Sequence, residues 1–90
     1  MTLLSDDQLR ERLSKLQGWE RSGGQIRKVY PFASFAEGMA FANRVAALAD
    51  LLDHHPDMLI QYRQVTLTLT SHDAGGLTER DFKLARRIDE

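Results

Sequence analysis

Apolar positions along the chain change period several times, and each change predicts a new element. Ser5 and Gln8 have the spacing of a capping box, and Leu4 and Leu9 that of a hydrophobic staple. Leu9, Leu13 and Leu16 then recur at helical spacing until Gly18, which predicts a first helix over residues 6–17. Trp19 to Arg21, the turn Ser22-Gly23-Gly24 and Gln25 to Phe32 read as a β-hairpin with imperfect alternation, closed by Pro31 near its end. Ser34 and Glu37 repeat the capping spacing and open the longest periodic segment. Phe41, Val45, Leu48 and Leu52 form one stripe, with Phe35, Met39, Ala42, Ala46 and Ala49 beside it. At about 100° per residue the two stripes cover roughly half the helix, more than one small sheet needs. This helix is therefore expected to pack on its own sheet and on a neighbouring subunit as well.

Pro56 is expected to stop the long helix, leaving His54 at its terminus and His55 extended, because proline disfavours the α conformation at the residue before it. Met58 to Tyr62 and Val65 to Ser71 read as two strands joined around Arg63-Gln64, without the usual Asn-Gly turn chemistry. In the second strand Val65, Leu67 and Leu69 take one face and the threonines the other. Leu77, Thr78, Asp81 and Phe82 then supply a staple, a cap and an acidic third residue for a last helix from about residue 79. The order α-β-β-α-β-β-α predicts a two-layer α+β fold, a four-stranded antiparallel sheet with three helices on one face. Residues 1–90 are expected to form one domain.

Composition narrows the function classes. Ninety residues bury only a modest core, so stability is expected to lean on assembly into a homodimer or homotetramer. The absence of cysteine excludes disulfides and thiol catalysis, and a formal net charge of -1 offers no basic excess for nucleic acid or anionic membrane. No apolar run is long enough to span a bilayer. Met1 to Asp7 is acidic and lacks a leader's charged-then-apolar pattern, so the expected location is cytoplasmic.

Candidate chemistry concentrates in Asp50-Leu-Leu-Asp53-His54-His55-Pro56. The third histidine, His72, follows the alternating run Val65 to Thr70, so a fold that joins the two segments gathers His54, His55 and His72 into the outline of a proton-transfer site. Ordinary accounts also exist. A cationic histidine is favourable at a helix C-terminus without any catalysis, whereas carboxylates there cost a few tenths to about 1 kcal/mol each. Asp50 and Asp53 are then either solvated surface charges or partners for the imidazoles and for a ligand's N–H groups. A three-histidine metal site fits less well, because no His-x-x-x-His or cysteine pair is present. Asp81 is explained as a capping partner of Thr78, and Trp19 as core.

Taken together, these residues resemble the pterin-4a-carbinolamine dehydratase family, also known as the dimerisation cofactor of a homeodomain transcription factor. Its pattern runs acidic residue, three residues, His-His-Pro, an aromatic, nine residues, His, and after a loop Asp. Asp50, His54-His55-Pro56, Tyr62, His72 and Asp81 match it in spacing. The likeness extends to Gly18-Trp19, Arg44-Val45-Ala46 and Gly76-Leu-Thr-Glu-Arg-Asp81, and so to nearly the whole chain. Met58 stands where better-known members carry tryptophan, which implies a softer pocket wall, and Asp50 stands where a longer Glu is frequent.

The resemblance implies dehydration of a 4a-hydroxytetrahydropterin to the quinonoid dihydropterin, in tetrahydrobiopterin recycling after an aromatic amino acid hydroxylase. Losing water from a saturated carbon needs a proton on the leaving oxygen and removal of one from a ring nitrogen, work suited to imidazoles without metal or cofactor. By family position His54 is the principal acid/base, His72 its partner, and His55 a binding or secondary acid group. Asp50, Asp53, Asp81, Pro56, Met58, Thr70 and Ser71 are the implied substrate-binding residues. The rival implication is a non-enzymatic interaction protein that uses the long apolar helix as a dimerisation surface, since fold alone does not separate the two.

Overall fold

Ser5 begins the first element as its spacing predicts. Its Oγ accepts from the Gln8 amide and the Gln8 side chain accepts from its own amide, capping α1 (Asp6–Ser14). The structure, a computed structural model, describes residues 2–90. α1 stops at Ser14 rather than residue 17, because the Lys15 and Leu16 amides turn to the carbonyls of Arg12 and Leu13. Such i→i−3 bonds tighten a last turn, and Gly18 then takes φ 80°.

β1 (Glu20–Ser22) and β2 (Gln25–Pro31) form the first hairpin, with Gly23 at φ 59° in its turn. α2 (Phe35–Leu52) starts at Ser34, whose Oγ accepts from the Glu37 amide at 3.1 Å. β3 (Asp57–Gln61) and β4 (Gln64–Leu69) form the second hairpin. Gln61 pairs with Gln64, so the turn falls on Tyr62-Arg63 rather than Arg63-Gln64, and β4 ends before Ser71. A 3₁₀ turn, His72–Ala74, leads to α3 (Glu79–Asp89). The sheet order is β1-β2-β4-β3, antiparallel throughout, and the fold is the expected α+β one.

Register fixes which side of the sheet meets the helices. Val65 lies between Tyr30 and Ile60, Leu67 between Lys28 and Met58, and Leu69 beside Ile26. Ile26, Val65, Leu67 and Leu69 have no exposed surface and pack with Phe41 and Val45 of α2 and Phe82, Leu84 and Ile88 of α3. Each such side chain contributes about 1.5–3 kcal/mol on burial. Thr66 and Thr68 take the other face, as predicted.

On α2 the first stripe faces inward, with Phe41 and Val45 buried and Leu48 and Leu52 packed against the core. The second stripe divides: Ala42 and Ala49 are buried, while Phe35 and Ala46 are exposed. The far end of α3 is tied to the sheet by Asp89, which accepts from Trp19 Nε1 at 2.8 Å, Lys28 Nζ at 3.1 Å and the Tyr30 hydroxyl. Burial, and then the hydrogen bond to Asp89, push the Tyr30 phenol well above the ordinary tyrosine range, so it stays a donor. Among the described residues no helix is long and apolar enough to cross a membrane.

Candidate active site

The end of α2 is made by Asp53, not by Pro56. The His54 amide donates to the Ala49 carbonyl at 3.0 Å and the Asp53 amide to the Asp50 carbonyl at 3.3 Å, the paired bonds of a Schellman motif. The motif needs a left-handed residue, usually glycine, and Asp53 fills the place at φ 50°, ψ 45°. Proline at 56 only keeps the helix from resuming. His54 follows the left-handed residue directly, and that reversal turns it inward.

His54 is buried, 8% exposed, and its Nε2 lies 2.6 Å from Asp81 Oδ1. Asp81 has no exposed surface, because it is the third residue of α3 and closes the cap with Thr78. Its Oδ2 accepts from the Thr78 amide at 2.9 Å and from Ser71 Oγ at 2.9 Å, and Ser71 Oγ lies 2.8 Å from Thr78 Oγ1. With the aspartate as acceptor, Nε2 carries the imidazole proton and Nδ1 is the free basic nitrogen.

His55 and Asp50 form a separate pair, Nε2 to Oδ1 at 2.9 Å, with both side chains largely exposed. His72 opens the 3₁₀ turn next to Ser71 and is exposed. It borders an open depression of about 370 Å³ together with Thr70, Gly24, Gln25 and Gly76. Thr70 Oγ1 donates to the Gly24 carbonyl at 2.6 Å, which joins the first hairpin to this loop. The loop is also held by Arg80, whose guanidinium donates to Asp73. That hydrogen bond holds the Asp73 carboxyl below its ordinary value of 3.8. The lowered value means the tie is present above that pH and lost as pH falls through the acid range beneath it.

The structure thus links His54 and Ser71 through the two oxygens of Asp81, and chain adjacency puts His72 next to Ser71. Asp53 is exposed, and its carboxylate makes no hydrogen bond or ion pair among the described residues. Pro56 and Met58 are half-buried, Met58 packing against the core beside Leu67. Thr78 was legible only as a helix cap. Its spacing to Asp81 was visible, but nothing local shows that the carboxylate's other oxygen reaches a histidine 27 residues away. Among the described residues no group of three or more His, Asp or Glu side chains is gathered as a metal site would require.

The structure is thus a small α+β protein with a four-stranded antiparallel sheet and a buried histidine–aspartate pair where α2 ends and α3 begins. The family model described as pterin 4 alpha carbinolamine dehydratase matches residues 2–90, and the chain belongs to that family. It is 54% identical over 89 residues to a relative of that name in Roseiflexus sp. (strain RS-1), covering 99% of this chain and 96% of the other. It is also similar to a crystal structure titled transcriptional coactivator/pterin dehydratase from Brucella melitensis, at a TM-score of 0.94 and 32% identity, covering 98% and 96% of the two chains. A more distant likeness, TM-score 0.64 and 26% identity over 79% of this chain and 82% of that one, is to a pterin dehydratase-like protein described as a RuBisCO assembly factor in the alpha-carboxysome. The expected enzyme class is that of the family: a dehydratase is a hydro-lyase.

Proposed function

We propose that the protein dehydrates a 4a-hydroxytetrahydropterin to the quinonoid dihydropterin by histidine acid/base catalysis, in tetrahydrobiopterin recycling in the cytoplasm. The observation that carries the chemistry is the 2.6 Å bond between His54 and buried Asp81. A carboxylate behind an imidazole fixes its tautomer and aims its other nitrogen, the arrangement a proton carrier needs. His54 is the principal acid/base and His72 its partner across the leaving hydroxyl. His55 with Asp50, together with Asp53, Thr70, Pro56 and Met58, holds the pterin's polar edge and ring. Asp81 and Ser71 are turned inward and serve through His54. The test is direct: purified protein should consume a 4a-hydroxytetrahydropterin faster than the uncatalysed loss of water, with and without a chelator. No acceleration would remove the proposed activity, and loss with chelator restored by zinc would make the histidines metal ligands.

Asp53 offers a second check. A non-glycine residue in the left-handed region costs on the order of 1 kcal/mol, and here no side-chain partner offsets it. Asp53→Gly is expected to raise the melting temperature by a few degrees, about 4–8 °C per kcal/mol for a domain of this size, while lowering turnover. Higher stability with full activity would mean that the carboxylate does not meet substrate.

We also propose a homodimer or homotetramer. β3 is an edge strand whose Leu59 and Ile60 are 56% and 37% exposed, Tyr62 in the turn that follows is 72% exposed, and α2 exposes Phe35 and Leu51. A bare apolar edge is a template for pairing with another chain. Light scattering should give a multiple of 10.3 kDa at micromolar concentration, and Leu59→Asp should lower it if β3 forms the contact. A monomer mass for the unaltered protein would sink the assembly. The similarity to a transcriptional coactivator/pterin dehydratase and to a RuBisCO assembly factor favours a second reading, in which such surfaces bind other proteins and the histidine site is auxiliary. Retained histidines without measurable turnover would select it.

A further inference from the structure

Ser71 is the residue at which the two histidine-bearing segments are joined. Its side chain and its backbone perform different tasks. The Ser71 hydroxyl has one proton, and that proton goes to Asp81 Oδ2 at 2.9 Å. The 2.8 Å contact with Thr78 Oγ1 is therefore made with the threonine's proton. A directed chain results, from Thr78 hydroxyl to Ser71 to Asp81, and Asp81 Oδ1 then receives His54 Nε2. All four groups are buried, His54 at 8% exposed and the others at 1% or less.

The backbone of Ser71 closes the loop that carries His72. Its amide donates to the Gly76 carbonyl at 3.0 Å, and its carbonyl accepts from Ala74 and Gly75 at 3.0 Å and Gly76 at 3.3 Å. The Asp81 carboxylate cannot rotate toward another donor without abandoning one of the three it already accepts from, His54 Nε2, Ser71 Oγ and the Thr78 amide. Sliding the His72 loop would therefore drag the Asp81 carboxylate, and with it the imidazole of His54.

We propose that Ser71 is a positioning residue that sets His54 and His72 in register across the leaving hydroxyl, acting through Asp81 on one side and through its own loop on the other. This inference rests on the acid/base reading of the histidines. Ser71→Ala removes one donor from Asp81 and strands the Thr78 proton. It is expected to lower kcat roughly ten- to a hundredfold, the scale of an ångström's misplacement of a reacting group, with KM little changed. Ser71→Thr keeps the hydroxyl and should restore most of kcat. Ser71→Cys, similar in volume but a poor donor, should behave like Ser71→Ala and serves if the alanine variant melts below the assay temperature.

A folding defect alone does not predict that pattern, and the ring-nitrogen NMR resonances of His54 read the link without turnover. They should shift in Ser71→Ala and return in Ser71→Thr. Equal losses in the Ala and Thr variants, or unchanged kcat and unchanged His54 resonances in Ala and Cys, would overturn the assignment. Undiminished turnover by His54→Gln is a different failure: it removes the proton-carrier reading, and the resonance shifts still decide whether Ser71 holds the ring.

Discussion

Replacing His54 should lower dehydration by about 10²- to 10⁴-fold, the usual worth of a positioned general acid or base. The choice of replacement matters because the imidazole is enclosed. His54→Ala leaves Asp81 Oδ1 buried without its donor, which costs about 1–3 kcal/mol in addition to any catalytic loss. The neighbouring sequence suggests a helix-end site removable without structural cost; the buried pair makes it part of the fold. His54→Gln separates the effects. A glutamine amide reaches toward the carboxylate as a donor yet carries no proton between pH 5 and 8. Its melting curve should stay closer to the parent's while turnover falls as far as in His54→Ala. Near-parental turnover by the glutamine variant would remove His54 from the mechanism.

The second large effect is expected at Asp81, where one atom can be exchanged. In Asp81→Asn the two donors that meet Oδ2, the Ser71 hydroxyl and the Thr78 amide, select the amide oxygen for that position. The amide nitrogen then faces His54 Nε2, and two donors cannot share one bond. The imidazole must move its proton to Nδ1, and the nitrogen that was to accept a proton now carries one. Where an asparagine imposes the wrong tautomer behind a catalytic histidine, kcat falls by about 10⁴. A loss of at least about 10²-fold is expected here, with a cooperative melt retained. Asp81→Ala should instead lose stability by about 3 kcal/mol or more, since a buried imidazole, a hydroxyl and an amide all lose their acceptor. Steady-state kinetics and thermal melts of the two variants check both statements, and an asparagine variant with parental kcat would break the tautomer argument.

Local rules reached most of the fold. Ser5-Gln8, Ser34-Glu37 and Thr78-Asp81 start the three helices, and alternation assigned Val65, Leu67 and Leu69 to the helix-covered face, because caps and pleats are decided within a few residues. Endings were harder. α1 stops early through i→i−3 bonds at Lys15 and Leu16, and α2 stops at a left-handed aspartate where the eye goes to proline. The hairpin turn at Tyr62-Arg63 lies one residue from its expected place because neither residue carries a turn signature.

For the site, the residue types and their resemblance to a known pattern pointed to segments that the fold brings together at His54, Asp81 and Ser71. What spacing could not supply is partnership. Asp81 reads as a helix cap and is one, but its other oxygen is spoken for by a ring from a distant element. Thr70 and Ser71 are neighbours in sequence, yet one hydroxyl turns to the Gly24 carbonyl and the other to Asp81. Such choices follow from how three helices settle on one sheet, which is tertiary information.

Because one carboxylate both caps α3 and holds His54, the opening of that helix turn and the release of the imidazole are a single event with a single free energy. Native-state fluctuations that expose the Thr78 amide to solvent exchange also leave the ring unaligned. Any ligand that binds only the aligned ring must slow that exchange by the factor its own binding supplies. On the proposed acid/base reading, drift at position 81 is therefore judged twice over, by folding and by turnover, whereas a change at the exposed His55–Asp50 pair is expected to leave folding untouched.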